Sequence, residues 1–152
     1  MVKSRSSICF VLLSMVALLS ACSDSAATPA AQTVTEMEMT ENYDTSEPFI
    51  HEKLFCVEED IDTLYLDVSF QMEGESGVLE IADNKTKEVI WNDAWKGDVD
   101  SSTFTMTLDG LEQEKEYVVR FTGTEIAHMK MAITSENSLV QERERPERQS
   151  YD

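Results

Sequence analysis

The sequence predicts an all-β protein folded as an antiparallel sandwich of about seven strands. Between residues 54 and 133, apolar and polar residues alternate with a period of two in several stretches, as strands with one buried face do. Clusters of Gly, Asn, Asp and Ser separate these stretches at regular spacing. No segment in this range has the periodicity of a convincing helix, so the folded part is expected to contain strands and turns.

The clearest strand begins at Leu64, where every second residue as far as Met72 is apolar and the residues between are mostly polar. Residues 103–108 repeat this pattern, with threonine at each wet position. Residues 83–86 are expected to form a hairpin turn, and residues 92–100 a loop that bends at Gly97. In chain order, the predicted strands are 54–57, 64–72, 78–82, 88–91 or beyond, 103–108, 117–122 and 128–133.

One turn carries a more specific signal. Leu108-Asp109-Gly110-Leu111 is followed by Tyr117, and this arrangement resembles the tyrosine corner of fibronectin type III and related immunoglobulin-like domains. The resemblance implies that Leu111 enters the core and that the Tyr117 hydroxyl hydrogen-bonds the connecting backbone. It also implies an immunoglobulin-like arrangement of the sandwich.

The amino terminus has the layout of an export signal. Lys3 and Arg5 precede an apolar run over residues 8–19, which as a helix spans ~18 Å and is too short for a hydrocarbon core of ~30 Å. Leu19-Ser20-Ala21-Cys22 then resembles the lipobox of bacterial lipoproteins. The resemblance implies cleavage before Cys22, a diacylglyceryl group on its sulfur and fatty acylation, such as palmitate, of the new amino terminus. The alternative is an exported protein without lipid.

Composition divides the chain into four parts. Residues 1–21 are expected to be the signal peptide, and residues 22–50 the lipidated Cys22 with a disordered acidic linker rich in Ser, Ala, Thr and Pro. Residues 51–134 hold both tryptophans and most aliphatic residues, and form the predicted β-sandwich domain. Residues 135–152 are predicted to be a disordered charged tail, with a short exposed helix over 139–145 as the alternative.

Charge and cysteine content restrict the partners. The formal net charge is −18, which excludes nucleic acid and anionic lipid headgroups as ligands. Of the three cysteines, Cys9 leaves with the signal and Cys22 carries the lipid, so no disulfide is expected. Cys56 is expected to be a buried thiol, because the acidic residues 58–60 that follow it do not favour a thiolate.

The most distinctive polar segment lies around the two tryptophans. Trp91 and Trp95 share one face if the strand continues, so they either cap the core or stack on a sugar ring. The polar residues near them could hold sugar hydroxyls or, as oxygen ligands, Ca²⁺, although no EF-hand pattern is present. No metal site or cofactor is predicted. The candidate ligand-binding residues are Trp91, Asn92, Asp93, Trp95, Asp98 and Asp100.

No motif indicates catalysis. His51 and His128 lack zinc-site spacing, and neither a nucleophile elbow nor a phosphate-binding glycine loop is present. We therefore expect a lipid-anchored, extracytoplasmic cell-envelope protein that is not an enzyme. Its sandwich is expected to act as a binding or accessory module for a surface protein or a glycan. The alternatives are a structural or regulatory subunit of a membrane-associated complex, or a spacer. If the strand over residues 127–133 is an unpaired edge, strand addition by a partner is favoured.

Overall fold

A computed structural model describes residues 30–39 and 47–144 of the chain. The predicted signal peptide and Cys22 lie outside the described residues, as does the end of the tail. The described part contains nine strands. They are β1 (Gln32–Glu38), β2 (Phe49–Val57), β3 (Ile61–Glu73), β4 (Ser76–Asp83), β5 (Val89–Lys96), β6 (Val99–Leu111), β7 (Glu116–Thr124), β8 (His128–Ser135) and β9 (Val140–Arg143).

The strands form two antiparallel sheets, which confirms the predicted all-β sandwich. The first sheet has the order β1-β8-β3-β6 and the second has the order β5-β4-β7-β2-β9. Successive strands change sheet at every connection of the described chain except the β4–β5 hairpin. Most core contacts are therefore made between residues far apart in the sequence.

The core fills the space between the two sheets. Phe55 and Phe121 of the second sheet and Phe70 of the first are at most 1% exposed. Phe70 lies 5.8 Å from Phe121, measured between ring centroids, and Phe55 stacks on Tyr117 at 5.3 Å. The Phe70–Phe121 contact joins the two sheets, whereas Phe55 and Tyr117 are cross-strand neighbours within the second sheet. Burying each such aromatic side chain contributes roughly 2–3 kcal/mol.

The predicted linker contains a strand, which corrects its assignment as disordered over residues 32–38. In β1, Val34 and Met37 are each 1% exposed, and the strand pairs with β8. A bulge between Thr33 and Thr35 places two consecutive buried residues in this strand. The bulge interrupts the alternation of apolar and polar residues, so the sequence pattern did not indicate a strand.

The predicted tail also contributes a strand, so within residues 135–144 neither disorder nor the alternative helix from residue 139 describes the chain. β9 pairs with β2, and Val140 is 2% exposed. The Gln32 side chain donates hydrogen bonds to the carbonyls of Asn137 and Val140, at 2.9 and 2.8 Å. The folded domain is therefore wider than residues 51–134, because both added segments close one side of the sandwich.

The strand order resembles that of an immunoglobulin-like sandwich only in its centre. The central pairs β3–β6 and β4–β7 occupy the places of the immunoglobulin B–E and C–F pairs. However, β8 lies beside β3 and β2 lies beside β7. In the immunoglobulin order, the strand before B borders B and the strand after F borders F. Here β2, which precedes β3, borders β7, and β8, which follows β7, borders β3, so these two strands have exchanged sheets.

Candidate functional site

The segment predicted to be the ligand-binding loop is mostly strand. β5 continues to Lys96 and β6 begins at Val99, so the loop predicted over residues 92–100 is wrong apart from the turn at Gly97. Gly97 has a φ of 74°, in the left-handed region that favours glycine. Its N–H donates to the Glu75 carbonyl at 2.8 Å, and Asp98 Oδ1 accepts from the Gly74 N–H at 3.0 Å. These bonds fix the turn against the β3–β4 connection.

Both indoles are half-buried and pack at the boundary of the core. The ring centroid of Trp95 lies 4.5 Å from that of Phe70 and 5.9 Å from that of Phe104. Trp91 is nearly parallel to Phe104 at 6.3 Å. The sequence placed both tryptophans on one face, and the structure directs that face towards the opposite sheet. The pair closes the side of the sandwich between β5 and β6.

The polar residues of this segment do not converge on one point. Asn92, Asp93 and Asp100 are exposed, and Asp93 Oδ1 accepts a hydrogen bond from the next backbone N–H at 2.8 Å. Asp98 is engaged in the turn. Within residues 30–39 and 47–144, no group of three or more His, Cys, Asp or Glu side chains could hold a metal ion.

A different surface combines an exposed aromatic ring with polar side chains. Tyr65 is 64% exposed in the middle of the first sheet, on its outer side. Thr105 Oγ1 donates to Asp67 Oδ1 at 2.7 Å, and Thr134 Oγ1 donates to the Asp67 carbonyl at 3.4 Å. We call this surface the Tyr65 face; it consists of Tyr65, Asp67, Ser69, Thr103, Thr105, Ala132 and Thr134.

Two shallow grooves meet on the Tyr65 face. One, of about 450 Å³, runs across β8, β3 and β6 between Thr134 and Thr103. The other, of about 350 Å³, lies between Tyr65 and the segment Glu136–Asn137. Asp67 lines both grooves, so a carboxylate stands where they join. An elongated polar ligand could lie along both.

Sequence reasoning placed Tyr65 on the wet side of its strand but did not select it as a site residue. A large aromatic side chain at a wet position of an alternating strand was the available signal. What the sequence could not show is that β6 and β8 lie on either side of β3. That order brings Thr105 and Thr134 to Asp67 from segments 38 and 67 residues away.

A cavity of about 760 Å³ lies at one end of the sandwich, and two of its charged side chains, Asp83 and Lys115, are already engaged. Asp83 Oδ1 accepts hydrogen bonds from the N–H groups of Thr86 and Lys85, both at 2.8 Å. These bonds lower the pKa of Asp83, and the bond from Thr86 has the larger effect. Lys115 Nζ donates to Glu112 Oε1 at 2.6 Å, which raises the pKa of Lys115. The cavity is therefore a weaker candidate than the Tyr65 face.

Cys56 is buried and is the free cysteine of the described residues. Arg143 Nε donates a hydrogen bond to its Sγ at 3.0 Å, which raises the pKa of Arg143. The sequence shows acids after Cys56, whereas the pairing of β9 with β2 supplies an arginine from 87 residues away. The electrostatic surroundings of the thiol are thus set by the fold and differ from those expected.

The comparisons with known proteins identify a family but no activity. The described residues include no helix with the length and hydropathy that crossing a bilayer requires. No curated protein matches this chain. A family model described as a domain of unknown function, DUF4624, matches residues 20–147, a range that includes all nine strands. The chain therefore belongs to the DUF4624 family.

Proposed function

We propose that this protein is a cell-envelope lipoprotein, anchored on the extracytoplasmic side through acylated Cys22, whose β-sandwich is a non-catalytic module that binds a glycan. The anchor is supported by the order of the basic start, the apolar run and Leu19-Ser20-Ala21-Cys22. Two or three acyl chains hold a protein stably in a membrane, whereas a single chain is marginal. The acidic surface offers no second means of membrane attachment.

The Tyr65 face is the observation that carries the proposed ligand class. The apolar face of a sugar ring packs well on an exposed aromatic ring, and its hydroxyls need hydrogen-bonding groups close by. Tyr65 supplies the ring, while Asp67, Thr103 and Thr105 supply acceptors and hydroxyl donors along the groove. The strands hold these groups at fixed spacing, which suits a repeating polymer.

A non-catalytic role is proposed because the polar groups are not arranged for chemistry. The described part of the chain brings no histidine to the Tyr65 face, and Asp67 is already hydrogen-bonded to Thr105. In the end cavity, Asp83 and Lys115 are each paired within turns. On the Tyr65 face the Thr105 hydroxyl lies next to the Asp67 carboxylate, but the side chains lining the two grooves include no third group that would orient this pair for acyl transfer.

The anchor and the ligand need separate tests. Mass spectrometry of the protein from membranes should find a mature chain that begins at Cys22 with a diacylglyceryl thioether, and Cys22→Ala should be released to the soluble fraction. An unmodified Cys22 in the wild-type chain would refute the anchor.

For the ligand, the full chain in neutral detergent is titrated with soluble fragments of cell-wall and surface polysaccharides and followed by calorimetry. Tyr65→Ala should weaken binding about fivefold or more, since aromatic stacking contributes about 1 kcal/mol or more. Ile50→Ala is the matched control, because Ile50 is 59% exposed on the other sheet. Equal binding by both variants would refute the Tyr65 face as the glycan site.

A structural or regulatory subunit of a membrane complex is the second candidate function. It is favoured by β6, a strand of 13 residues at the edge of the first sheet. A subunit of this kind would retain its partners in Tyr65→Ala, whereas a glycan-binding module would lose its ligand. Co-purification from solubilised membranes with each variant separates the two.

A further inference from the structure

The four edge strands of the described sandwich differ in how they are protected against pairing with another chain. Natural sheets block their edges with short strands, bulges and inward-pointing charges. β9 has four residues, and β1 has seven with a bulge. β5 has a bulge between its pairings with Ile81 and Ala82 of β4. Its Asp93 lies on the inner side of the sheet, opposite buried Leu79. Each of these three edges carries at least one such feature.

β6 is long and mostly regular on its pairing side. From Ser102 to Leu111 it follows β3 with one continuous register, the bulge near Val99 lying before this stretch. Phe104, Met106 and Leu108 face inward, and threonines alternate with them on the outer side. The strand contains no lysine, arginine or proline. In the part of the chain that the structure describes, its second edge has no pairing strand.

The charges around this edge select the partner. Between residues 93 and 109 the acidic residues are Asp93, Asp98, Asp100 and Asp109, and Lys96 is the single basic residue. Glu112, farther along, is paired with Lys115. The acids lie near both ends of β6, so a strand added there would have carboxylates near both of its ends. A segment with lysine or arginine complements this field, whereas an acidic segment is repelled.

A second copy of this chain is disfavoured by the same charges. In a two-fold antiparallel pairing centred on Thr105, the middle of β6, Asp109 of one copy lies beside residues 100–101 of the other. Asp100 and Asp109 would then approach at both ends of the pairing, between chains that each carry a formal net charge of −18. Thr105 and its neighbours offer no basic residue to compensate.

We propose that the free edge of β6 binds an extended, lysine- or arginine-bearing segment of a partner protein by strand addition. Backbone hydrogen bonds to the N–H and C=O groups of β6 supply the affinity, because alternate residues of an edge strand direct these groups away from the sheet. Apolar residues of the added segment pack beside Phe104, and its basic residues lie near Asp100 and Asp109. The proposal does not depend on the glycan ligand, although Thr103 and Thr105 of β6 also belong to the Tyr65 face.

The intrinsic tryptophan fluorescence of the protein can be used to detect strand addition to β6. Its two tryptophans, Trp91 and Trp95, both pack against Phe104 of β6. An added strand alters the surroundings of Phe104 and the indoles, and so changes the intrinsic fluorescence. Backbone amide exchange in β6 should slow at the same time, because the free N–H groups gain acceptors.

The test uses the full chain in neutral detergent and a ten-residue peptide of alternating valine and lysine. We expect saturable binding by fluorescence, at least tenfold weaker binding of the valine–glutamate counterpart, and slowed exchange in β6. Two further peptides are N-methylated, one at its odd-numbered and the other at its even-numbered residues. In at least one of them the methyl groups replace the N–H groups that would bond to β6, so at least one should lose binding. Asp100→Asn should weaken the lysine peptide about twofold to threefold, while Glu36→Gln on β1 should not.

Three outcomes would overturn the proposal. If both N-methylated peptides bind as tightly as the unmethylated lysine peptide, the attraction is due to charge without strand pairing. Equal binding of the lysine and glutamate peptides would remove the charge selection. Protection of β6 amides in a dimer without peptide, detected by sedimentation, would show that a second copy occupies the edge.

Discussion

The hydroxyl of Tyr117 accepts a hydrogen bond from the backbone N–H of Glu112 at 2.8 Å. Tyr117 is 3% exposed and Leu111, the residue before Glu112, is 1% exposed. The bond therefore ties the end of β6 in the first sheet to β7 in the second, across the connection that changes sheet. Gly110, with a φ of 66°, lies at the end of β6 next to this corner.

Removal of this hydroxyl should destabilise the fold by a modest amount. Tyr117→Phe keeps the ring that stacks on Phe55 and loses the bond to Glu112, so the free energy of unfolding should fall by about 1 kcal/mol. Urea denaturation measures the change. Tyr65→Phe is the control, because Tyr65 is exposed, and it should leave the midpoint unchanged. An unchanged midpoint in Tyr117→Phe would show that the corner bond does not contribute.

The corner illustrates what local sequence can predict. Leu111 and Tyr117 lie within one segment of seven residues, and the structure confirms the expected hydrogen bond between the Tyr117 hydroxyl and the connecting backbone. The alternation from Leu64 likewise identified most of β3. By contrast, β1 and β9 were missed because their burial depends on distant partners and, in β1, on a bulge. The Tyr65 face needs the order β8-β3-β6, which no short pattern in the sequence encodes.

His51 should make stability depend on pH near neutrality. Burial beside Phe49, and then repulsion by Lys53, lower its pKa from 6.5. As the pH falls through 6.5, the unfolded chain binds a proton that the folded chain binds less readily, so stability decreases below that pH and levels off below the folded pKa. His51→Gln should remove this component from a series of denaturation curves. Lys53→Met should remove only part of it, because burial is the larger cause. A His51→Gln curve that keeps the full slope would contradict the assignment.

Asp83 should make stability depend on pH in a more acidic range than His51 does. Its pKa is lowered from 3.8, chiefly by the N–H of Thr86 and further by that of Lys85 and by Lys115. The stability it contributes is present above 3.8 and is lost as the pH falls towards the lower pKa of the folded state. Asp83→Asn should reduce stability at pH 7 and flatten the acid limb of the pH profile. Glu88→Gln, an exposed change in the same turn region, should preserve the acid limb. Acid unfolding curves that coincide for wild type and Asp83→Asn would contradict this role.

Thr35 offers a stabilising substitution. Its side chain is 1% exposed, and its Oγ1 has no hydrogen-bond partner among the described residues. A buried hydroxyl without a partner costs about 1–3 kcal/mol, so Thr35→Val should raise the free energy of unfolding by about 1 kcal/mol. Thr35→Ser retains the hydroxyl and loses a methyl group, and should be less stable than wild type. A destabilised Thr35→Val protein would mean that the hydroxyl is satisfied in solution.

Asp93 should keep β5 from pairing with other chains. It lies between Trp91 and Trp95 along the strand, opposite Leu79, on the side that faces the other sheet. A second chain added to β5 would surround this carboxylate with apolar side chains, which is costly without a counter-charge. Asp93→Val removes that cost and should cause self-association, measured as a rise in mass by light scattering at increasing protein concentration. Asn92→Val changes the adjacent residue on the outer side of the same strand, so it tests whether added valine alone is sufficient. Association of Asn92→Val to the same extent, or an Asp93→Val protein that stays monomeric, would show that the inward charge does not protect this edge.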